Sequence, residues 1–227
     1  MTALLLAAMA WILLHVVVAG PLRPSLVRRL GLPAYRGVFS LLSALFLVAL
    51  IWAFAAAPHV ELWPASPALS VIPLVVMPVA FLFLVGSLRP SNPTLAGPDM
   101  VMGGELPVTG FTRITRHPML WAFSLWALAH MAANGDVATL TLAGAILITA
   151  LNGMVSIDRK RAAAFGERWQ RFAAKTSIIP FSAVAAGRTP LRFADIGWLN
   201  IAVAAVLYGL FLWLHDKFFG VPAYPSL

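Results

Sequence analysis

Residues Arg116–His130 read "RHPMLWAFSLWALAH". A charged pair comes first, then a proline, then an almost unbroken apolar run that closes on a second histidine. Proline is favoured in the first helical turn, where its missing N–H costs nothing. The stretch therefore opens a helix at Pro118 and carries it as an apolar cylinder. A helix apolar all round is buried in protein or in lipid. Composition decides for lipid: of 227 residues, 61% are hydrophobic and 11% charged, against about 25% charged in a soluble domain. The fold class is all-α, a polytopic membrane helix bundle read as one domain over residues 1–227.

Working outward from this helix, six apolar segments emerge, at about 3–20, 37–57, 69–88, 118–133, 137–155 and 196–214. Most approach the roughly 20 residues that cross a hydrocarbon core. The segment at 118–133 is short, which suits a helix that begins inside the interface or re-enters. Pro73 and Pro78 are expected to kink the third helix, which helical neighbours tolerate. The first segment lacks a basic region ahead of it, so it reads as a span and not as a cleavable signal.

Charge placement sets the expected orientation. Arg23, Arg28, Arg29 and Arg36 fall in the first loop, and Arg89, Arg113 and Arg116 in the third. Arg159, Lys160, Arg161, Arg168, Arg171, Lys175, Arg188 and Arg192 fall in the fifth. These are 15 of the 16 basic residues. By the positive-inside rule those loops are expected in the cytoplasm and both termini outside; the membrane expected is a bacterial inner membrane, which the charge pattern itself does not specify. The formal charge of +8 then reports topology and contact with membrane lipid, and nucleic acid is not an expected partner. The absence of cysteine excludes disulfides and thiolate ligation of haem or zinc. In the fifth loop, Phe165, Trp169 and Phe172 recur at helical spacing among charges, which predicts a basic amphipathic helix on the cytoplasmic face. The third loop, residues 89–113, is long and rich in Pro and Gly, a composition that often accompanies function.

Of five histidines, His59 and His215 fall near the outer interface and read as bland. His15 and His130 lie inside apolar helices, where an ionisable side chain is costly and points to function. Each has a tryptophan four residues earlier, Trp11 before His15 and Trp126 before His130, on the same helix face. Two such faces could hold a flat macrocycle with iron between two imidazoles; each histidine could equally be tied to a backbone carbonyl with the indole as plain packing. His117 and His130 are 13 residues apart, on opposite sides of one helix. With Arg116, His117 instead forms a cationic helix start suited to an anion such as haem propionates, a nucleotide-like cofactor or a lipid phosphate. Counted inward from Gly20 and Pro118, His15 and His130 differ in depth by about 10 Å. Two ligands to one iron then require helix one to run past Gly20 or helix four to begin inside the membrane.

Several stretches carry a family resemblance: "LLHVVV" in helix one, "PAYRGVFSLLSAL" at helix two, "TRITRHPML", "WALAH", "NGD" at Asn134–Asp136, "DRKRAAAFGERW" and "KTSIIPF". In this order, over nearly the whole chain, they resemble the NnrU family, which also includes plant and cyanobacterial 15-cis-zeta-carotene isomerases. The resemblance implies a membrane protein that binds haem b, with His15 and His130 at the ligand positions. The position of a cysteine proposed as an alternative ligand in the isomerases is Ala127 here. The implied activity is haem-dependent cis–trans isomerisation of an apolar polyene such as 9,15,9'-tri-cis-zeta-carotene, with Arg36, Arg116 and His117 holding propionates. The alternative is a non-enzymatic haem sensor or accessory factor in nitrite and nitric oxide reduction, meeting a diatomic gas. A more distant resemblance, through "RHP" and "FGERWQRF…IIP", is to isoprenylcysteine carboxyl methyltransferases. It implies an S-adenosylmethionine site at Arg116, His117 and Asp158, although the family's paired acids are Ile157 and Asp158 here.

Overall fold

A computed structural model of the chain describes residues 1–64, 66–89, 92–95 and 104–223. Much of the Pro/Gly-rich third loop, at 90–91 and 96–103, lies outside the described residues. Nine α-helices are described: α1 Thr2–Leu13, α2 Arg23–Leu30, α3 Leu32–Ala55, α4 Pro67–Ser87, α5 Pro118–Ala133, α6 Val137–Phe165, α7 Glu167–Lys175, α8 Ser182–Ala185 and α9 Trp198–Phe219. One π-helical turn, Leu14–Val18, continues α1. Among the described residues there is no strand, only an isolated bridge between Glu61 and Asp136.

All six apolar segments are helical. Helices α3, α4, α6 and α9 are long and apolar enough to cross a membrane, and α1 with α2 adds a fifth candidate bent by 77°. The sixth, α5, has 16 residues, short of the roughly 20 that span. The chain is an integral membrane protein. Its apolar side chains face outward as lipid-facing groups must: Trp52 is 70% exposed and Val206 68%. Inside lipid each backbone polar group has to be paired within its own segment, which helices alone achieve here.

Local signals explain the boundaries. Gly31, at φ 78°, releases α2, and Pro33 sits in the first turn of α3. The helix therefore starts ahead of the expected residue 37, and Arg36 lies one turn inside it instead of in a loop. The Asp136 carboxylate accepts a hydrogen bond from the Thr139 amide at 2.9 Å and caps α6. That helix continues ten residues past the apolar stretch, so Asp158 and Arg159–Arg161 ride on a helical extension rather than a loop. Pro73 and Pro78 lie within α4 without ending it. At the end of α1, a Cβ on Gly20 would strike the Val16 carbonyl oxygen; glycine permits the close turn that follows the π-helical residues.

The described residues group into two compact units, residues 1–72 with 127–153, and residues 73–126 with 154–227. In the first, Leu4 and Ala8 of α1 meet Leu50 and Ala53 of α3 and Ala138 and Ala145 of α6. Small residues at such seams let backbones approach closely, the means of helix association where lipid removes the hydrophobic drive. The Leu62 and Trp63 amides donate to the Gly135 carbonyl, at 2.6 and 3.2 Å.

The second unit has two cores. Phe83, Phe111, Ile114 and Ala122 form one, and Leu106, Trp169 and Phe172 the other. The expected amphipathic helix is α7, at Glu167–Lys175. Its Trp169 and Phe172 are 3% and 1% exposed, so its apolar face is spent on protein, not laid on lipid.

Candidate functional site

The sequence-predicted residues fall into two settings. In the first unit, His15 occupies the π-helical turn. Its Nδ1–H donates to the Trp11 carbonyl at 2.9 Å. A carbonyl only accepts, so this bond places the proton on Nδ1 and leaves the Nε2 lone pair to the outside. The Trp11 ring lies 4.0 Å from the His15 ring, centroid to centroid, and Phe39 of α3 meets the imidazole edge-on at 5.4 Å. The Trp11 Nε1–H is buried with no hydrogen-bond partner among the described residues. Tyr35 donates to the Val18 carbonyl at 3.4 Å and ties α3 to the end of the π-turn.

His130 sits in the last turn of α5, half-buried. Its carbonyl accepts both the Asn134 amide and the Asn134 side-chain NH₂, each at 2.9 Å. Trp126 lies one turn earlier on the same helix and is also half-buried. Arg36 is exposed on α3, three residues before Phe39 and hence on the same helix face.

In the second unit, Arg116, His117 and Asp158 form one knot. The Arg116 guanidinium grips Asp158 through Nε at 3.1 and 2.9 Å and a terminal NH₂ at 2.7 Å. The His117 Nε2–H donates to the same carboxylate at 2.7 Å. Burial, set against the Asp158 hydrogen bond, holds the His117 imidazole below its usual pKa. The contact is therefore a neutral imidazole–carboxylate hydrogen bond at pH 7, while Arg116 and Asp158 form the ion pair. The His117 side chain is fully buried; its Nδ1 has no hydrogen-bond partner among the described residues.

Around this knot the backbone is stitched to a distant segment. The Arg116 amide donates to the Ser177 carbonyl at 2.9 Å, and the Phe181 amide to the Ile114 carbonyl at 2.8 Å. Both the Thr115 hydroxyl and the Trp121 indole donate to the Ile178 carbonyl, at 2.6 and 2.8 Å. "TRITRHP", "KTSIIPF" and the aspartate opening "DRKRAAAFGERW" thus form one hydrogen-bonded module. Sequence reasoning reads Arg116 and His117 as anion holders and groups both with Asp158 as a cofactor site, but misses that the three satisfy one another. The Thr115, Trp121 and Arg188 contacts to the 174–178 carbonyls were missed as well, and no local periodicity announces them.

These positions can be set beside known proteins. The family model described as "NnrU protein" matches residues 3–223. The chain is similar to "15-cis-zeta-carotene isomerase, chloroplastic" of Arabidopsis thaliana, 32% identical over 104 residues, which cover 43% of this chain and 28% of that one. It is similar also to the Zea mays protein of the same description, 32% identical over 83 residues, covering 37% of this chain and 23% of the relative. The matched stretches thus span about a quarter of the length of these relatives. No solved structure gives a significant match. A family match that runs from α1 through α9 takes in both the His15 turn and the Asp158 knot: the chain belongs to the NnrU family.

Proposed function

We propose that this chain is a membrane haem b protein in which His15 and His130 ligate iron, and that it isomerises a double bond of an apolar polyene of the zeta-carotene type. The observation that carries the reading is the His15–Trp11 hydrogen bond within the π-turn. An imidazole that ligates a metal through one nitrogen usually donates its other N–H to a carbonyl or carboxylate, which fixes tautomer and ring orientation. His15 already has that arrangement. A π-turn within an α-helix is itself uncommon and gathers at functional sites. The isomerase relatives supply the reaction class.

The residues fit a haem in further respects. Trp11 and Phe39 place aromatic surface against His15, at 4.0 and 5.4 Å between ring centroids. Arg36 is exposed on the Phe39 face of α3, where it would place a cation toward a propionate. Arg116 and His117 are already committed to Asp158, so that role does not extend to them. Helix one ends in a sharp turn at Gly20 instead of running past it. A shared iron therefore requires α5 to begin inside the membrane, in keeping with its 16 residues. When bound, haem iron supplies an electrophilic centre that draws density from a conjugated double bond and lowers the barrier to rotation. The protein's part is to orient the imidazole through Trp11, to exclude water and to offer an apolar path for the polyene from lipid.

The methyltransferase alternative needs Asp158 to accept from a bound cofactor, but both its oxygens already accept from Arg116 and His117. Purified from haem-replete cells, the protein should be red with a Soret band, and His130→Ala should abolish or shift it. A colourless, metal-free preparation would overturn the reading.

A further inference from the structure

Outside the histidine site, the second unit carries a shallow groove of about 310 Å³ beside the stitched segment, walled by Arg116, Thr176, Ser177, Ser182 and Arg188 among others. We infer that this groove and its apolar lip dock an anionic phospholipid, with the headgroup phosphate against Arg188 and the acyl chains along Ile179 and Phe181. Three observations converge.

The first is charge. Arg116 spends its charge on Asp158, but Arg188 has no carboxylate partner among the described residues. Arg188 is nonetheless held in place. One terminal NH₂ donates to the Ala174 and Thr176 carbonyls, both at 2.9 Å. The cation is thus anchored at the C-terminal end of α7 by part of its fork, with the remaining N–H donors left for an oxyanion.

The second is the lip. Ile179 is 65% exposed and Phe181 49%, on a segment that is anything but loose. The Ser177 hydroxyl donates to the Ile179 carbonyl at 2.8 Å and accepts from the Ala183 amide at 3.0 Å. With its neighbours fixed, the segment presents two large apolar side chains that lie outside the protein's own cores.

The third is strain. Phe181 is the only non-glycine residue at positive φ among the described residues, at 63°. A bulky side chain there is disfavoured and persists where surrounding structure holds it, often at working surfaces. Here the bond from the Phe181 amide to the Ile114 carbonyl does the holding. Cation, hydroxyls and exposed aliphatic and aromatic groups side by side suit the boundary between headgroups and acyl chains.

The test uses the full chain, delipidated in neutral detergent, and native mass spectrometry with short-chain phosphatidylglycerol, short-chain phosphatidylcholine and inorganic phosphate as probes. Phosphatidylglycerol should bind about fivefold better than phosphatidylcholine, the effect of one basic residue near an anionic headgroup. Arg188→Gln should erase that preference, and Arg188→Lys should keep most of it. Phe181→Gly relieves the left-handed strain, so its thermal midpoint should hold or rise while it binds both lipids less well. It keeps the proposal testable if Arg188→Gln does not fold. Equal binding of the two lipids by the wild type would overturn the inference, as would a folded Arg188→Gln that keeps the preference. An unweakened Phe181→Gly would overturn it too. Inorganic phosphate competing as well as phosphatidylglycerol would show a free-anion site and remove the lipid.

Discussion

His15 and His117 use the same side chain for opposite ends. His15 satisfies one ring nitrogen within its own helix, four residues back. The bond stays within one helix, and on the proposed reading Nε2 is left to ligate iron. His117 gives its Nε2–H to an aspartate 41 residues away, and that aspartate also neutralises Arg116. The first is a local device that a neighbouring helix only borders; the second joins two stretches of chain and carries the architecture. Family signature residues can therefore be split by experiment into those whose loss silences a site and those whose loss unfolds a unit.

The largest effect should come from the knot. Asp158→Ala strands a buried cation and a buried imidazole together. Removing one partner of such a pair costs about 3–5 kcal/mol. At about 2–4 °C per kcal/mol for a chain of this size, the midpoint in detergent should drop by roughly 6–20 °C. A circular-dichroism melt checks it. Arg116→Met combined with Asp158→Leu should recover part of the loss, because no charge is then stranded. A D158A variant that melts like the wild type would remove the architectural half of the comparison.

The converse applies to the imidazoles of the first unit. His15→Ala loses one local hydrogen bond, worth about 1 kcal/mol, so its melt should move by only a few degrees. Its Soret absorbance should nevertheless vanish or shift, and His130→Ala should behave alike. A large fall in midpoint with the spectrum intact would reverse the roles assigned to the two regions.

Why one region was more legible than the other is physical. Helix α5 lies at Pro118–Ala133, where the sequence places it, because Pro118 and the Asn134–Gly135 pair punctuate both ends in the chain itself. His15 and Trp11 were legible as a pair because i and i+4 share a face. The π-turn was not, since no residue type marks where a helix gains an extra residue per turn. Hydropathy alone puts Arg36 in a loop, although Gly31 and Pro33 give a helix-start signal that hydropathy ignores. The Asp158 contact lay beyond reach for another reason. Its helix runs on through charged residues that resemble a loop, and its partners are brought to it by backbone bonds between segments about 60 residues apart in sequence, such as Thr115 and Ile178.

A smaller effect follows from His117. Its folded pKa is depressed, chiefly by burial, while the unfolded chain returns it to about 6.5. The folded form is thus favoured by the neutral ring, and that contribution is complete above about pH 6.5. As pH falls below it, the unfolded state takes up the proton first, and stability is lost until the folded pKa is passed. The midpoint should accordingly decline from pH 7 to pH 5. His117→Asn keeps a donor for Asp158 but cannot titrate, so its decline should be shallower. Parallel curves for the two proteins would place the pH sensitivity elsewhere.

The smallest effect discriminates between the two arginines. Arg116 is nearly buried, with a side chain 12% exposed and bonded twice over to Asp158, whereas Arg36 is exposed. Arg116→Gln should therefore lower the midpoint by several degrees and leave the haem content of the folded fraction unchanged. Arg36→Gln should do the reverse. An exposed cation contributes at most about 1 kcal/mol to a partner, so haem retention should fall by no more than about fivefold, and the melt should move less than that of R116Q. Titrating haem into the apoprotein and following the Soret band measures this directly. If R116Q loses haem while R36Q does not, the knot faces the macrocycle after all, and the separation of site from architecture has to be redrawn around Asp158.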